Sequence, residues 1–195
     1  MLIPLQTLID TMKEDSDSLM QILSSFSCAK DHDIENFLHN RAVEFEALSK
    51  ARTYLLCDEN EMIENGRIVL LGYISLAPKS LQIPEGLSIR RRKELDGFSG
   101  KIHNEPITEI PCYLIGQLAR NDSVPRESLS GRDLIEEAQR IIMGAVQAVG
   151  GRYMMIECHN NPKLLAFYET NGFSEIARVA DSGMPMVQML CKLVD

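Results

Sequence analysis

A single α/β domain is the fold class this sequence predicts: a mixed central sheet, antiparallel on its N-terminal side, with a splayed parallel pair in the middle and helices on both faces. Three observations carry it. Two strand-like runs, RTYLLCD (residues 52–58) and RIVLLGYISLA (67–77), stand close together with Asn65-Gly66 just before the second, which suits an antiparallel hairpin with a loose tip. Further on, a long apolar strand, an amphipathic helix and another strand succeed one another, and strand–helix–strand implies a right-handed parallel crossover. A chain of 195 residues with 45% hydrophobic content is also long enough to bury one core.

In chain order, residues 1–30 read as a peripheral N-terminal segment in which LMQILSSFSC (19–28) is an opening strand. Asp31 or Asp33 can cap a helix over DIENFLHNRAVEFEALSKA, where Ile34, Phe37, Leu38, Val43, Phe45 and Leu48 form an apolar stripe. After the two strands comes a loop-rich basic insertion, residues 80–106. It contains SIRRRKELDGFSGK, a loop or a short helix carrying Arg90, Arg91, Arg92 and Lys93. ITEIPCYLIGQLA (107–119) is the first strand of the parallel pair, and Pro111 and Gly116 are poor ladder residues, so a bulge or splay is expected there. RDLIEEAQRIIMGAVQAVGG places Leu134, Ile135, Ala138, Ile141, Ile142, Ala145, Val146 and Val149 at helical spacing before Gly150-Gly151 ends the helix. RYMMIEC (152–158) is the partner strand. Asn161 then caps and Pro162 starts a short helix closed by Asn171-Gly172, and residues 173–179 and 186–193 are the last two strands.

Composition excludes several classes. No window approaches the roughly 18 apolar residues of a spanning helix, and the start of the chain has no basic leader, so a cytoplasmic protein without a membrane partner is expected. Cys28, Cys57, Cys112, Cys158 and Cys191 show no metal-binding spacing; three of them (57, 112 and 191) lie in apolar runs as reduced core thiols, and no metal is expected. The net charge of −8 opposes non-specific nucleic-acid binding, with residues 90–93 as the local exception or simply a solvated basic turn.

ESLSGRDL (127–134) lies between the first parallel strand and the long helix. A helix start in that position presents unpaired N–H groups and the positive end of the helix dipole. Ser128, Ser130, Gly131 and Arg132 fit either a phosphate cradle or a capping turn in which Ser130 serves the helix alone. Acidic Asp133, Glu136 and Glu137 favour the dipole themselves and compete with an anion.

The order of CYLIGQLARN, SLSGRDLIEEA and NNPKLLAFYETNGF resembles the GNAT superfamily of acyl-CoA-dependent N-acyltransferases, over residue 107 to the C-terminus. IENFLHNRAVEFE and RTYLLCDEN through LLGYISLAP are more loosely similar to the front half of the branch that includes tRNA-acetylating toxins and prophage-type acetyltransferases. The resemblance implies acetyl-CoA as co-substrate and transfer of the acetyl group to a primary amine by direct attack in a ternary complex. It further implies that Leu118, Ala119 and Arg120 offer backbone groups to the pantetheine arm and the thioester carbonyl. Leu129, Ser130, Gly131 and Arg132 would hold the pyrophosphate, Asn161 would line the cofactor, and Tyr168 would stand at the sulfur. Fixed N–H dipoles stabilise charge on the thioester oxygen, and a phenol can protonate the departing thiolate as general acid. The alternative for Tyr168 is a core stripe with Leu164 and Phe167 that leaves its hydroxyl at the rim.

One departure stands out. Aligning the last glycine of the family's pyrophosphate turn with Gly131 puts Leu129, Glu127 and Val124 where glycine, glycine and arginine are expected. A β-carbon restricts positive φ, so weaker binding, or a shifted turn using Ser128 and Ser130 with Arg126 and Arg132 compensating, follows. Glu157, His159 and Glu109 are candidate general bases, as is a water chain. A catalytically degenerate fold-mate acting as a binding or regulatory protein is the alternative function. The expected acceptor is a small-molecule or protein amine; tRNA fits the acidic chain less well, and an exposed C-terminal strand leaves room for a homodimer.

Overall fold

A computed structural model describes residues 1–181 and 184–194, and the chain divides into two compact units. The first comprises Met1–Ala77 with Ile115–Ile141, and the second Pro78–Leu114 with Ile142–Asp195.

In the first unit, strand β1 (Leu2–Pro4) leads into helices α1 (Leu5–Thr11), α2 (Ser16–Ser24), α3 (His32–Asn40) and α4 (Ala42–Ala47), then strand β2 (Arg52–Cys57), helix α5 (Glu59–Asn65) and strand β3 (Leu70–Gln82), whose last residues belong to the second unit. Three sequence expectations are corrected here. Residues 19–28 form no strand: Asp15 caps a helix by accepting from Ser18 N, and Leu19 and Leu23, four residues apart, supply its buried face. The single helix expected after Asp31 breaks in two at Arg41, whose φ of −128° is not helical. The Asn65-Gly66 pair does not form a hairpin tip. It closes α5, with Gly66 taking the left-handed conformation (φ 63°) that ends a helix, although β2 and β3 are antiparallel neighbours as expected. Residues 1–30, expected to be peripheral, place β1 against β2 and bury Leu5, Leu8, Leu19, Leu23 and Phe26 in one cluster with Leu38, Leu55, Leu70 and Tyr73. The Tyr73 hydroxyl donates to Ile34 O at 2.6 Å and so ties the sheet to α3.

The second unit contains helix α6 (Ile89–Asp96), a two-stranded hairpin of β4 (Lys101–Ile102) and β5 (Glu105–Pro106), and the first half of strand β6 (Glu109–Arg120). After helix α7 (Gly131–Val149) come β7 (Tyr153–His159), α8 (Pro162–Thr170), β8 (Ser174–Asp181) and β9 (Met184–Lys192). Leu81, Leu95, Ile107, Ile110, Tyr153, Met155 and Leu190 build its core. The basic run forms α6, and one of its four cations is structural. Arg92 is 7% exposed and donates to the carbonyls of Leu87 (3.1 Å), Pro84 (2.9 Å), Glu85 (3.0 Å) and Ile107.

The strand order is β1-β2-β3-β6-β7-β9-β8, with β6 and β7 as the parallel pair in a mostly antiparallel sheet. All five cysteines are buried and free. No helix among the described residues is long and apolar enough to cross a membrane.

Two outcomes follow. Arg92→Met keeps the apolar stem but strips four carbonyls of their donor, and should cost about 2–4 kcal/mol in denaturant unfolding, against under about 0.5 for Lys93→Met. Burial raises the thiols of Cys57, Cys112 and Cys158 from 9.0 to about 11. Above about pH 9 the unfolded chain has therefore lost protons that the folded chain still holds. Stability should be intact below that pH and fall as pH climbs from about 9 towards about 11, as urea titrations at stepped pH will show.

Candidate active site

The C-terminal end of β6 is held by Asn121, 2% exposed, which sequence reasoning did not single out. Its Nδ2 donates to Leu70 O (2.8 Å) and Ser25 O (3.3 Å), its Oδ1 accepts from Ser27 N (3.0 Å) and Ser123 N (2.9 Å), and its backbone N–H donates to Leu71 O (2.8 Å). Asp122 continues the set, accepting from Ala29 N at 3.0 Å. The available signal was the polar pair Asn121-Asp122 directly after an apolar strand, residue types that bond to nearby backbone.

Gly72 on β3 explains what stands beside that strand end. A β-carbon at 72 would lie 2.7 Å from Ala119 O, 2.7 Å from the Leu129 Cδ2 methyl and 3.3 Å from Arg120 Cα. The structure thus brings Ala119, Arg120 and Leu129, three of the predicted cofactor contacts, around one missing side chain. Leu118 is half-buried and Ala119 buried. Arg120 lies with Nη2 3.7 Å from Asp122 Oδ1, while its Nη1 is buried without a hydrogen-bond partner among the described residues. A buried guanidinium N–H left unpaired is unusual and calls for an acceptor.

The turn itself differs from the glycine-rich form. Arg126–Ser128 make one tight 3-10 turn after Pro125, and Leu129 is extended (φ −157°, ψ 128°) with its side chain buried. None of residues 127, 129 or 131 is left-handed, so the missing glycines strain nothing. At the start of α7 the Ser130 hydroxyl accepts from Asp133 N (3.2 Å), and the Asp133 carboxylate accepts from Ser130 N (2.8 Å). The Ser130 side chain therefore caps the start of α7. The bonds to Ser130 also lower the Asp133 pKa, so a fixed negative charge sits at this helix start. The N–H groups of Gly131 and Arg132 remain, since first-turn donors have no intrahelical acceptor. The Arg132 guanidinium is engaged with Glu136 at 2.7 Å.

In the second unit, Asn161 caps α8, accepting from Lys163 N (2.9 Å) and Leu164 N (3.4 Å), so its side chain serves the helix. Tyr168 on α8 is 8% exposed, with its ring against Phe167 (5.1 Å between centroids) and Phe173 (5.6 Å). Its hydroxyl has no hydrogen-bond partner among the described residues. Burial first, and the neighbouring Cys158 second, raise the phenol above its ordinary pKa, so it keeps its proton at neutral pH. Among the candidate bases, Glu109 accepts from Ser80 Oγ (2.7 Å) and Gln82 Nε2 (2.9 Å), which hold its pKa low and make it a poor proton acceptor. Glu157 accepts from Gln188 Nε2 at 2.7 Å, and His159 is exposed at the end of β7.

Strand order, the α7 crossover and the α8 turn together give the chain the GNAT fold expected from its sequence. No family model matches the chain. Among solved structures, it is similar to the toxin AtaT complexed with acetyl-methionyl-tRNAfMet, at TM-score 0.65 and 21% identity over 96% of this chain and 92% of that one. A tyrosine-to-phenylalanine mutant of KacT matches at TM-score 0.65 and 22% identity, covering 91% of each chain. AtaTR bound with AcCoA matches at TM-score 0.61 and 23% identity, over 88% of this chain and 86% of that one.

The capping pair has a measurable consequence. Ser130→Ala should lower stability by about 1 kcal/mol in thermal unfolding, while Ser128→Ala, two residues before the cap, leaves it unchanged.

Proposed function

We propose that the protein is an acetyl-CoA-dependent N-acetyltransferase acting on a primary amine, with Tyr168 as general acid. The observation that carries this reading is the Tyr168 phenol: its ring is buried, its proton is retained at neutral pH, and no hydrogen bond among the described residues occupies its hydroxyl, on a fold shared with acetyl-CoA-bound neighbours. Tyrosine-to-phenylalanine mutants of both AtaT and KacT have been solved, which supports attention to a tyrosine in this fold.

The chain's residues fit the co-substrate on three counts. Arg120 Nη1 is a buried donor lacking an acceptor among the described residues. The Gly131 and Arg132 N–H groups open a helix where anions are favoured. Gly72 allows the strand end and the turn to approach closely. When bound, acetyl-CoA supplies the activated acetyl thioester. Backbone N–H groups around Leu118, Ala119 and Arg120 then stabilise charge developing on the carbonyl oxygen. The Tyr168 hydroxyl delivers its proton to the departing sulfur. Glu157, His159, Glu109 or water takes the amine proton, and the hydrogen bonds that lower the Glu109 pKa disfavour it in that role.

One observation favours a second reading. The Ser130–Asp133 pair uses two helix-start donors and fixes a carboxylate there, as in a fold-mate that has ceased to bind phosphate and acts as a binding or regulatory protein. The neighbours include AtaT bound to the C-terminus of the antitoxin AtaR, which supports a protein partner under either reading.

Tyr168→Phe separates the two. An enzyme loses about 10²- to 10⁴-fold in kcat while its acetyl-CoA affinity by calorimetry is unchanged. Absence of acetyl-CoA binding to the native chain at millimolar concentration overturns the enzyme reading.

A further inference from the structure

The turn between β6 and α7 uses several of its backbone donors on itself. Ser123 N bonds to Asn121 Oδ1 (2.9 Å), Ser128 N to Pro125 O (3.2 Å), Ser130 N to Asp133 Oδ2 (2.8 Å) and Asp133 N to Ser130 Oγ (3.2 Å). Asp133 adds charge of the wrong sign for an anion, and the cation of that first helical turn, Arg132, is 75% exposed and held by Glu136. A diphosphate settling here needs a positive charge that the turn itself does not offer.

The end of β6 offers one. Side chains of a strand alternate between the two faces of a sheet. Ala119 belongs to the buried cluster of Leu5, Leu19, Phe26 and Tyr73, and Asn121 bonds to Ser25 and Ser27, which flank Phe26. Arg120, between them in sequence, therefore faces the other way. Gly72, next to Tyr73 in β3, faces that way too, and its missing β-carbon is replaced by the Leu129 methyl on one side and bordered by Arg120 Cα on the other. The Arg120 side chain thus leaves the strand on the face where the turn passes.

Its guanidinium is poorly paired. Nη2 lies 3.7 Å from Asp122 Oδ1, too far for a hydrogen bond, and Asp122 Oδ2 already accepts from Ala29 N at 3.0 Å. Nη1 is buried and has no hydrogen-bond partner among the described residues. Arg92, by contrast, has four carbonyls around it. A buried charged donor without an acceptor costs the folded chain stability, so Arg120 serves no purpose internal to the fold that its bonds reveal.

We propose that the Arg120 guanidinium, rather than the turn or the start of α7, is the chief phosphate-binding group of this chain, donating to the diphosphate of acyl-CoA and weakening the fold when no ligand is bound. The identity of the ligand rests on the acetyltransferase reading; the unpaired cation beside the turn does not.

Arg120→Met, which keeps most of the stem, tests this by the sign of two effects. The thermal midpoint of the ligand-free protein should rise by about 2–4 °C, because an unpaired buried donor is gone. Affinity for acetyl-CoA in calorimetry should fall about 10- to 100-fold, the worth of a hydrogen bond to a charged group, and by the same factor for acetyl-dephospho-CoA, which lacks the ribose phosphate. Arg120→Lys, with the charge but not the fork, should bind with intermediate affinity. Phosphorus NMR of the saturated native and Arg120→Met complexes should differ at the diphosphate resonances and agree at the ribose phosphate. A midpoint that falls together with the affinity makes the arginine structural and overturns the proposal. So does a variant that binds acetyl-CoA as the native chain does, or a loss that disappears with acetyl-dephospho-CoA. A native chain that binds no acetyl-CoA overturns the acetyltransferase reading and this proposal with it, which the unchanged variant would not.

Discussion

A strand that ends inside a protein leaves polar backbone groups that must be paired, and Asn121 meets this demand at the end of β6. One side chain joins β3, the segment between α2 and α3, and the start of the turn, through bonds at Leu70, Ser25, Ser27 and Ser123. The end of β6 and the turn that follows it depend on that junction. It determines where β6 stops, where Arg120 emerges, and where the chain sets out towards the start of α7. Burying an amide is costly unless all of its hydrogen-bonding capacity is used, and here four bonds use it.

The turn beyond lacks the glycines of the expected pattern, and its backbone carries no strain for their loss. A glycine is required where φ is positive or where another group comes too close, and none of residues 127, 129 and 131 has a positive φ. The close approach has moved to the opposite side, to Gly72 of β3, which no pattern in the turn itself could reveal. Asp133 is the feature with a chemical cost: a carboxylate at a helix start favours the helix and disfavours a bound anion.

The parts of the molecule legible in the sequence were those set by local rules. The helix running from Gly131, the Asn161-Pro162 start of α8, the β2–β3 pairing and the final two strands all follow from caps, periodicity and turn residues. The N-terminal helices were harder, because Leu19 and Leu23 sit in a short apolar run whose length and composition suit a strand as well as a helix. Asn65-Gly66 misled for a related reason: both a hairpin tip and a helix end need a left-handed residue, and only the contacts of Met62 with the core decide which. Arg92 and Asn121 were harder to assign as structural groups: Asn121 bonds the carbonyls of Leu70 and Ser25 from distant parts of the chain, and Arg92 bonds Pro84, Glu85, Leu87 and Ile107, whose convergence on one guanidinium no local pattern marks. Arg92 also shows why a basic run overstates a basic surface: one cation of four points inward.

Leu129 finally bears on the timing of order. A glycine-rich turn has more backbone freedom, and any of it still present when a ligand binds is lost at that moment. Here the Leu129 side chain is packed over Gly72 and α7 is already capped, so the loss of backbone freedom occurs when the chain folds rather than when a phosphate binds. Such a turn has fewer donors to offer but meets any ligand preorganised, and its affinity should vary less with whatever loosens or tightens the surrounding loops.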